Sequence, residues 1–493
     1  MTTTADGVVA MLARACGAEA VRLAGNGDAV GGKRPRWVAA PADAAALAEL
    51  VRVCAERDLA MVARGEGGKL DWGNPPRQVD VLIDMGRLAG VYRHDADDLV
   101  ATVGAGTPLR AVQAALAKRN QRLAMDPGST DATIGGMLAT GESGPLRLGF
   151  GTPRDQLIGV EFVRADGVIS HSGGRVVKNV AGYDLGKLLT GSYGTLALIT
   201  SATFRVHPMP MARAFVTRPV HSPMEAHDLV IALLGSGLAP AAIELDLPII
   251  NPGLIPAVVS RPTPGRRSMP GGSLADKPTA RFDPTGRNAS IGRGEHTVEP
   301  GRALRPGRPT TTGTVAVLLE GSTAGVKSRA ADASLLMRGG ATTSTRPPEW
   351  WGRYPFEPGD VALKIATPIA DLYAALYALR DAAGFPVSVR GSAGVGVCYA
   401  SLPGAPTFSG GITNSGRIRT TKRHVAQIAD VVAALRTTMI ARGGSCVVLD
   451  APAPIRDAVD MWGNVGGLDL MRSVKHQFDP YGRLAPGRFV GGI

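Results

Sequence analysis

The stretch Asp126–Gly141, DPGSTDATIGGMLATG, carries the local pattern that decides the fold of this 493-residue chain. Thr133 stands where the N-cap of a helix is expected, because a threonine hydroxyl accepts a hydrogen bond from a backbone N–H of the first turn. Gly135 and Gly136 fall within that turn, so a planar or anionic ligand can approach the backbone, and a helix N-terminus favours a pyrophosphate. Close helix packing uses the same small residues, so this pattern alone leaves both interpretations open.

Two other glycine-rich stretches lie on either side of this one. The first, Arg64–Lys69 (RGEGGK), follows a predicted strand at residues 59–62 and is typical of a backbone nest that binds phosphate, or of an ordinary glycine turn. The second, Gly173–Thr200, is predicted to form a loop, a helix, a glycine turn and a strand. Within it, Lys178 or Asn179 is a candidate contact for a bound polar ligand. Tyr183 is more typical of a packed aromatic residue than of a catalytic acid.

The sequences ATIGGMLATGESGPLRLGFGTPRDQLIGVEFV (132–163) and VVKNVAGYDLGKLLTGSYGTLALIT (176–200) resemble the FAD-binding domain of the vanillyl-alcohol oxidase and p-cresol methylhydroxylase (PCMH-type) superfamily. Within it, they are most similar to the FAD-binding subunit of bacterial glycolate oxidase. The resemblance is strongest over residues 60–208, weaker over 314–402, and returns at 470–488. It implies an α+β fold, with a PCMH-type domain of two subdomains followed by a smaller α+β cap domain that has an antiparallel sheet.

The expected domain boundaries follow from this resemblance and from composition. Residues 1–35 are predicted to be a helical N-terminal segment, 36–208 the FAD-binding domain, 209–469 the cap or substrate-side domain, and 470–493 a C-terminal segment that returns to the FAD domain. The cap is interrupted at residues 251–313 by a stretch dense in Pro, Gly and Arg without apolar periodicity. We expect this stretch to be a disordered insertion, since it cannot bury enough apolar surface to offset the entropy cost of ordering.

The resemblance also implies which residues hold the cofactor. The first loop would wrap the FAD pyrophosphate, three residues near Gly128 would lie by the flavin, and the helix region would line the phosphate and ribityl path. Ile199 would lie by the adenine or the flavin ring. The full set is Arg64, Gly65, Glu66, Gly67, Gly68, Lys69, Pro127, Gly128, Thr130, Thr133, Gly135, Gly136, Thr140, Ser143, Gly144 and Ile199.

Two departures from the wider family bear on chemistry. Related enzymes with covalent flavin have a histidine inside the first loop, whereas this loop has Glu66 and Lys69, so we expect non-covalent FAD. Glycolate and D-lactate dehydrogenases have a His-rich, metal-binding stretch in the cap, but the corresponding residues 390–398 contain no histidine. We therefore expect no metal site, and the catalytic residues remain unknown beyond the weak candidates Lys178, Tyr183 and Arg390. Arg390 is a candidate partner for a substrate carboxylate, or an ordinary arginine at a strand end.

These features lead to three hypotheses. The first is the FAD-binding subunit of a glycolate dehydrogenase complex, in which a sibling flavin subunit oxidises glycolate to glyoxylate and an iron–sulfur subunit passes electrons on. The partner must carry any cluster, because the four cysteines are scattered without a C-x-x-C pair. The second is a self-sufficient FAD-dependent oxidoreductase acting on a 2-hydroxy acid or an alcohol. The third is a catalytically silent assembly subunit that has lost the flavin.

Charge and hydropathy restrict the other classes of partner. The formal net charge is +12, but residues 261–308 hold ten Lys or Arg and four Asp or Glu, so half of the excess lies in the insertion. A solvated linker is the expected role of the insertion and a basic docking arm the alternative. Aromatic residues for base stacking are nearly absent there, which argues against nucleic acid. No apolar run approaches the about 20 residues that span a bilayer. We expect a cytoplasmic protein, peripheral at the inner face of the plasma membrane only through its partners.

Overall fold

A four-stranded sheet near the N-terminus carries the first glycine loop. The computed structural model describes residues 5–175, 183–250, 313–405 and 420–493. Its first part contains α1 (Ala5–Cys16), β1 (Val21–Leu23), β2 (Trp37–Ala39), α2 (Ala44–Glu56), β3 (Met61–Arg64) and β4 (Val81–Asp84). The strand order is β1-β2-β4-β3, with β2 and β3 both parallel to β4. The N-terminal segment, expected to be helical, thus also contributes strand β1.

Helix α2 shows why this part folds as it does. The Asp43 carboxylate accepts a hydrogen bond from Ala46 N at 2.8 Å and so caps the helix. Leu47, Leu50 and Cys54 recur at helical spacing and are fully buried. They pack in one cluster with residues of α1 and of the four-stranded sheet.

A second, five-stranded antiparallel sheet follows, with the order β5-β6-β10-β8-β9. Strands β8 and β9 form a hairpin, in which Arg164 N donates to Val168 O at 3.0 Å and Gly167 has a φ of +76°. The elements of this part are β5 (Val91–Asp95), β6 (Val100–Gly104), α3 (Leu109–Ala117), β7 (Gln121–Arg122), α4 (Ile134–Thr140), α5 (Arg147–Phe150), α6 (Pro153–Gln156), β8 (Leu157–Val163), β9 (Ile169–Gly173), α7 (Leu185–Leu189), β10 (Leu198–Arg205) and β11 (His207–Pro208).

The cap is built on an antiparallel sheet of eight strands, the widest in the described part of the chain. Its order is β15-β12-β14-β13-β17-β18-β16-β19. Its elements are β12 (Ala212–Val220), α8 (Pro223–Leu234), β13 (Ala242–Ile250), β14 (Gly313–Gly321), α9 (Thr323–Met337), β15 (Thr342–Ser344), β16 (Val361–Ala366), α10 (Leu372–Ala383), β17 (Val387–Ser392), β18 (Val397–Leu402), α11 (Lys422–Ile440) and β19 (Ser445–Asp450). The α+β class and the antiparallel cap sheet predicted from the sequence are therefore confirmed.

The two faces of the cap sheet differ in chemistry. Alternate residues of β13, such as Ile243 and Leu245, pack with the helices in the largest apolar cluster. Glu244 and Asp246, between and beyond them, point to the opposite face, because successive side chains of a strand alternate. That opposite face is buried against the first half of the chain, with Glu244 3% and Asp246 8% exposed.

The C-terminal segment returns to the first sheet after α12 (Ala453–Arg456) and α13 (Leu468–Phe478). Met61 N donates to Arg483 O at 2.8 Å, and Ala485 N donates to Met61 O at 2.7 Å. The chain end thus lies beside β3, the strand that leads into the first glycine loop. The expected insertion lies outside the described residues, except that Gly313 begins β14.

Candidate functional site

The first glycine loop leaves β3 at Arg64, and the side chain of that arginine anchors its start. The Arg64 guanidinium donates to Asp28 Oδ1 at 2.7 Å and to Asp84 Oδ2 at 2.5 Å. Gly67, within the loop, has a φ of +88°, which favours glycine. Gly68 has no atom within 4 Å of the position that a Cβ would occupy, so the loop borders open space there.

Helix α4 forms the wall that faces this loop. The Thr133 hydroxyl accepts a hydrogen bond from Gly136 N at 3.2 Å, so the predicted N-cap is confirmed. A Cβ on Gly65 would lie only 2.2 Å from Thr133 Oγ1, and one on Gly135 would lie 3.0 Å from the Ala105 Cβ. The first glycine loop, helix α4 and the turn after β6 therefore contact one another at glycines, because a larger side chain would not fit between them.

A third stretch, Ser192–Ile199, closes the cleft. Tyr193, buried and with a φ of +57°, packs edge-on against Trp462 at a centroid distance of 4.8 Å. The resulting cavity has a volume of about 360 Å³, within the ordinary range of small-molecule sites. Its lining consists of residues 63–70, 128–131, 135–136, 139–140, 192–194 and 197–199 together with Met85, Ala105, Thr133 and Arg488.

Most of the residues expected to hold the cofactor lie in this lining. They are Arg64, Gly65, Glu66, Gly67, Gly68, Lys69, Gly128, Thr130, Thr133, Gly135, Gly136, Thr140 and Ile199. Pro127, Ser143 and Gly144 are not part of it. Gly144 instead packs beneath the preceding segment, since a Cβ there would lie 1.6 Å from Asp126 O.

None of the three weak catalytic candidates lines the cleft in the described part of the chain. Lys178 lies outside the described residues. Tyr183 is 92% exposed. Arg390 Nε donates to Asp246 Oδ1 at 2.8 Å, and its Nη1 donates to Tyr354 O at 3.1 Å. Arg390 is thus already paired within the cap, which fits the structural alternative for this residue.

The structure adds a buried ion pair that sequence reasoning missed. Lys69 Nζ lies 2.5 Å from Glu142 Oε2, and the Glu142 side chain is fully buried. Glu142 Oε1 also accepts from the Tyr354 hydroxyl at 2.6 Å and from Ser129 N at 2.9 Å. Glu142 thereby joins the glycine loop, the Gly128 segment and the cap. Glu142 stands one residue after the quoted motif, but no local signal identifies its partners.

Aromatic side chains separate the cleft from the cap sheet. Tyr354 packs against Trp72, Phe356 and Tyr399, with ring centroids 4.7 to 5.9 Å apart. A Cβ on Gly128 would lie 2.8 Å from the Tyr354 ring. The glycine at position 128 therefore lets the cap approach the edge of the cleft.

Two carboxyl groups are buried beneath this aromatic layer. Burial raises the pKa of Asp126 to about 7 and the pKa of Glu244 to about 8. Arg147, between them, donates to Gly144 O at 3.0 Å and to the Tyr399 hydroxyl at 3.2 Å. The interface between the FAD-binding part and the cap thus contains polar groups, and these two carboxyl groups are partly protonated near neutral pH.

The described residues show neither a metal-binding cluster nor a membrane-spanning helix. They contain no group of three or more His, Cys, Asp or Glu side chains placed to hold a metal ion. No helix among them has the length and apolarity to cross a bilayer. All four cysteines are buried and form no disulfide.

Comparison with known proteins shows which cofactor the chain uses. Residues 35–173 match the FAD binding domain family. The cofactor is FAD. The described residues fit it, because the glycine loop leaves open space at Gly68 and because the buried Arg488 guanidinium in the lining has an Nε without a hydrogen-bond partner.

Curated relatives and a solved structure add to this comparison, the relatives on function and the structure on fold alone. The chain is 36% identical over 177 residues to the glycolate oxidase subunit GlcE of Escherichia coli (36% of this chain, 50% of the relative). It is 32% identical over 207 residues to the D-lactate dehydrogenase of Archaeoglobus fulgidus (42% and 46%). The matched stretch therefore spans about half the length of these curated relatives. An alkyldihydroxyacetonephosphate synthase structure shares the fold, with a TM-score of 0.60 at 17% identity over 93% of this chain and 78% of the other. The PCMH-type fold is confirmed.

Proposed function

We propose that this chain is the FAD-binding subunit of a glycolate dehydrogenase-type complex that oxidises a small 2-hydroxy acid, glycolate, to the 2-oxo acid glyoxylate. The observation that carries the proposal is the convergence of three glycine-containing stretches on one cleft in a domain of the FAD-binding family. When bound, FAD supplies the two-electron redox chemistry of the reaction. The similarity to a relative named as a glycolate oxidase subunit supports the substrate class and the complex.

The chain's own residues would hold the cofactor by backbone contacts. The loop Gly65–Lys69 would receive the pyrophosphate, with its N–H groups as donors. Thr133 and Gly135 would form the opposite wall, and Gly128 would face the flavin. Since the first loop has no histidine, we propose that FAD is non-covalent and dissociable.

Two contacts support an electron-relay role rather than turnover by this chain alone. Arg390, the candidate for a substrate carboxylate, is neutralised by Asp246 at 2.8 Å. Tyr354 fills the space beside Gly128 and donates to the buried Glu142. The proposal therefore places hydroxy-acid oxidation in a sibling flavin subunit and an iron–sulfur cluster in another partner, with the complex in the cytoplasm or at the inner face of the membrane.

A self-sufficient 2-hydroxy-acid oxidoreductase is the second candidate. The similarity to the A. fulgidus D-lactate dehydrogenase favours it, over a stretch about as long as the one that matches other relatives. A silent assembly subunit is the third candidate, and the cleft described above argues against it.

An anaerobic titration of the purified chain, alone and co-purified with its native partners, separates these candidates. We expect absorption bands at about 370 and about 450 nm that acid precipitation releases into the supernatant, as for a dissociable flavin. Glycolate should bleach the bands of the complex but not those of the chain alone. Bleaching of the isolated chain by glycolate or D-lactate would establish the second candidate. A colourless chain that takes up no added FAD would establish the third.

A further inference from the structure

Arg488 enters the FAD cleft from the far end of the chain. Arg488 is 5% exposed, and it lines the cavity together with the first glycine loop and Tyr193. The C-terminal segment that carries it hydrogen-bonds beside the loop, where Asn74 N donates to Arg488 O at 3.1 Å. Arg488 therefore lies outside the stretch 35–173 in sequence, and the fold brings it to the cleft.

One edge of the Arg488 guanidinium holds the loop. Nη2 donates to Leu70 O at 2.8 Å and to Trp72 O at 2.7 Å, with a longer contact to Lys69 O at 3.3 Å. Nε is buried and has no hydrogen-bond partner. A buried guanidinium N–H without an acceptor costs free energy, so the site is incomplete as it stands.

Arg488 has no carboxylate within ion-pair distance among the described residues, and Asp71 acts on its charge only from farther away. The other two cations of the described lining have carboxylate partners, since Arg64 pairs with Asp28 and Asp84, and Lys69 pairs with Glu142. Arg488 takes part in none of the ion pairs formed among the described residues. Burial lowers the pKa of its guanidinium to about 10, so the group is still protonated at neutral pH. A buried cation without a counter-charge is destabilising unless an anion binds next to it.

We propose that Arg488 binds FAD directly, with its guanidinium compensating negative charge on the cofactor while Nη2 fixes the loop at residues 69–72. Bound FAD offers such charge in two places, the pyrophosphate and the ring system once it is reduced. Glycine-rich backbone alone supplies only partial charges to either. Arg488 thus supplies the full positive charge that the paired cations of the lining cannot.

The test measures FAD affinity and flavin midpoint potential for Arg488→Gln and Arg488→Lys, after removal of FAD from the full-length protein. Loss of a charge-assisted contact should weaken FAD binding by about tenfold or more in Arg488→Gln, while Arg488→Lys should retain most of the affinity. A weaker oxidised FAD complex at unchanged potential indicates the pyrophosphate as the partner. A more negative potential indicates the reduced ring.

Arg436→Gln is the matched control, because Arg436 also donates to backbone carbonyls, at 3.0 Å to both Cys446 O and Met461 O, but lies outside the lining. It should alter thermal stability and leave FAD affinity unchanged. Equal impairment in Arg488→Gln and Arg488→Lys would overturn the proposal, since only the loop contacts would then matter. Unchanged affinity and potential in Arg488→Gln would overturn it as well.

A histidine at the same position keeps the test decisive if Arg488→Gln does not fold. Arg488→His can be charged or neutral within one folded variant, because an unperturbed imidazole titrates near about pH 6.5. We expect its FAD affinity to fall between pH 5.5 and pH 8.5 by more than that of the unmodified protein. An identical pH dependence in both proteins would contradict a charge role for Arg488.

Discussion

Glu142→Gln tests whether the buried carboxylate behind the glycine loop stabilises the apoprotein through its charge. The change keeps the shape of the side chain and an oxygen that can accept from the Tyr354 hydroxyl and Ser129 N, now 2.6 and 2.9 Å away. It removes the counter-charge of Lys69, whose side chain is only 10% exposed. Breaking a buried ion pair from one side costs about 3–5 kcal/mol, so we expect a loss of that order in the free energy of unfolding.

The assay is urea unfolding of FAD-free protein, followed by tryptophan fluorescence, in a double-mutant cycle with Lys69→Met. Each single variant leaves one partner without its charge, whereas Glu142→Gln/Lys69→Met leaves none. The double variant should therefore lose less than the sum of the single losses, with a coupling of about 1–3 kcal/mol. Tyr354→Phe serves as the control, since it removes one hydrogen bond and should cost about 1 kcal/mol. Losses that add within about 0.5 kcal/mol would refute the buried ion-pair reasoning.

Three other predictions concern the cleft, the buried acids and the contact between the two halves. Gly68→Ala places a methyl group in open space, so thermal stability should be unchanged while FAD affinity falls. Gly65→Ala should destabilise the fold, because its Cβ would lie 2.2 Å from the Thr133 hydroxyl oxygen. Equal effects of the two variants on stability and on FAD affinity would contradict this assignment of the loop. Glu244 has its pKa raised by burial from 4.5 to about 8, so its contribution to stability is complete below pH 4.5 and declines by up to about 1.4 kcal/mol per pH unit until about pH 8. Glu244→Gln should remove that decline in urea unfolding from pH 5 to pH 8, and parallel curves for both proteins would refute it. Arg122→Met should lower the free energy of unfolding by about 3–5 kcal/mol, because it leaves the buried Glu320 carboxylate without its partner. The Glu320 side chain is 8% exposed and accepts two hydrogen bonds from Arg122, at 2.8 and 2.5 Å. A loss below about 1 kcal/mol would show that this ion pair is effectively solvated.

The cofactor loops could be predicted from the sequence because their conformations depend on near neighbours. The Thr133 hydroxyl caps α4 by accepting a hydrogen bond from Gly136 N, three residues ahead, and the Arg164–Gly167 turn joins two adjacent strands. Glycines at 65, 67 and 68 stand where a backbone-lined concavity begins directly after a strand. Such signals act within a few positions along the chain, so one sequence is enough to read them.

Residues outside the cavity lining show where local reasoning stops. Ser143 and Gly144 continue a motif whose other members line the cleft, yet the chain turns at Gly141, with a φ of +62°, and Gly144 packs on Asp126 instead. Arg390 lies on β17, and the strand pairing brings Asp246 beside it. Proximity of this kind depends on sheet register, which no local pattern specifies.

The sequence by itself thus determined the positions of the glycine loops and the helix cap, because these follow from short-range patterns, and its resemblance to a known family implied the fold class and the cofactor. Tertiary structure alone decided which charges form ion pairs and which do not. Lys69 is paired with the buried Glu142, whereas Arg488 reaches Trp72 O from 416 positions away and forms no ion pair among the described residues. Electrostatic pairing depends on distance in space and on burial, and both arise only when remote segments pack together.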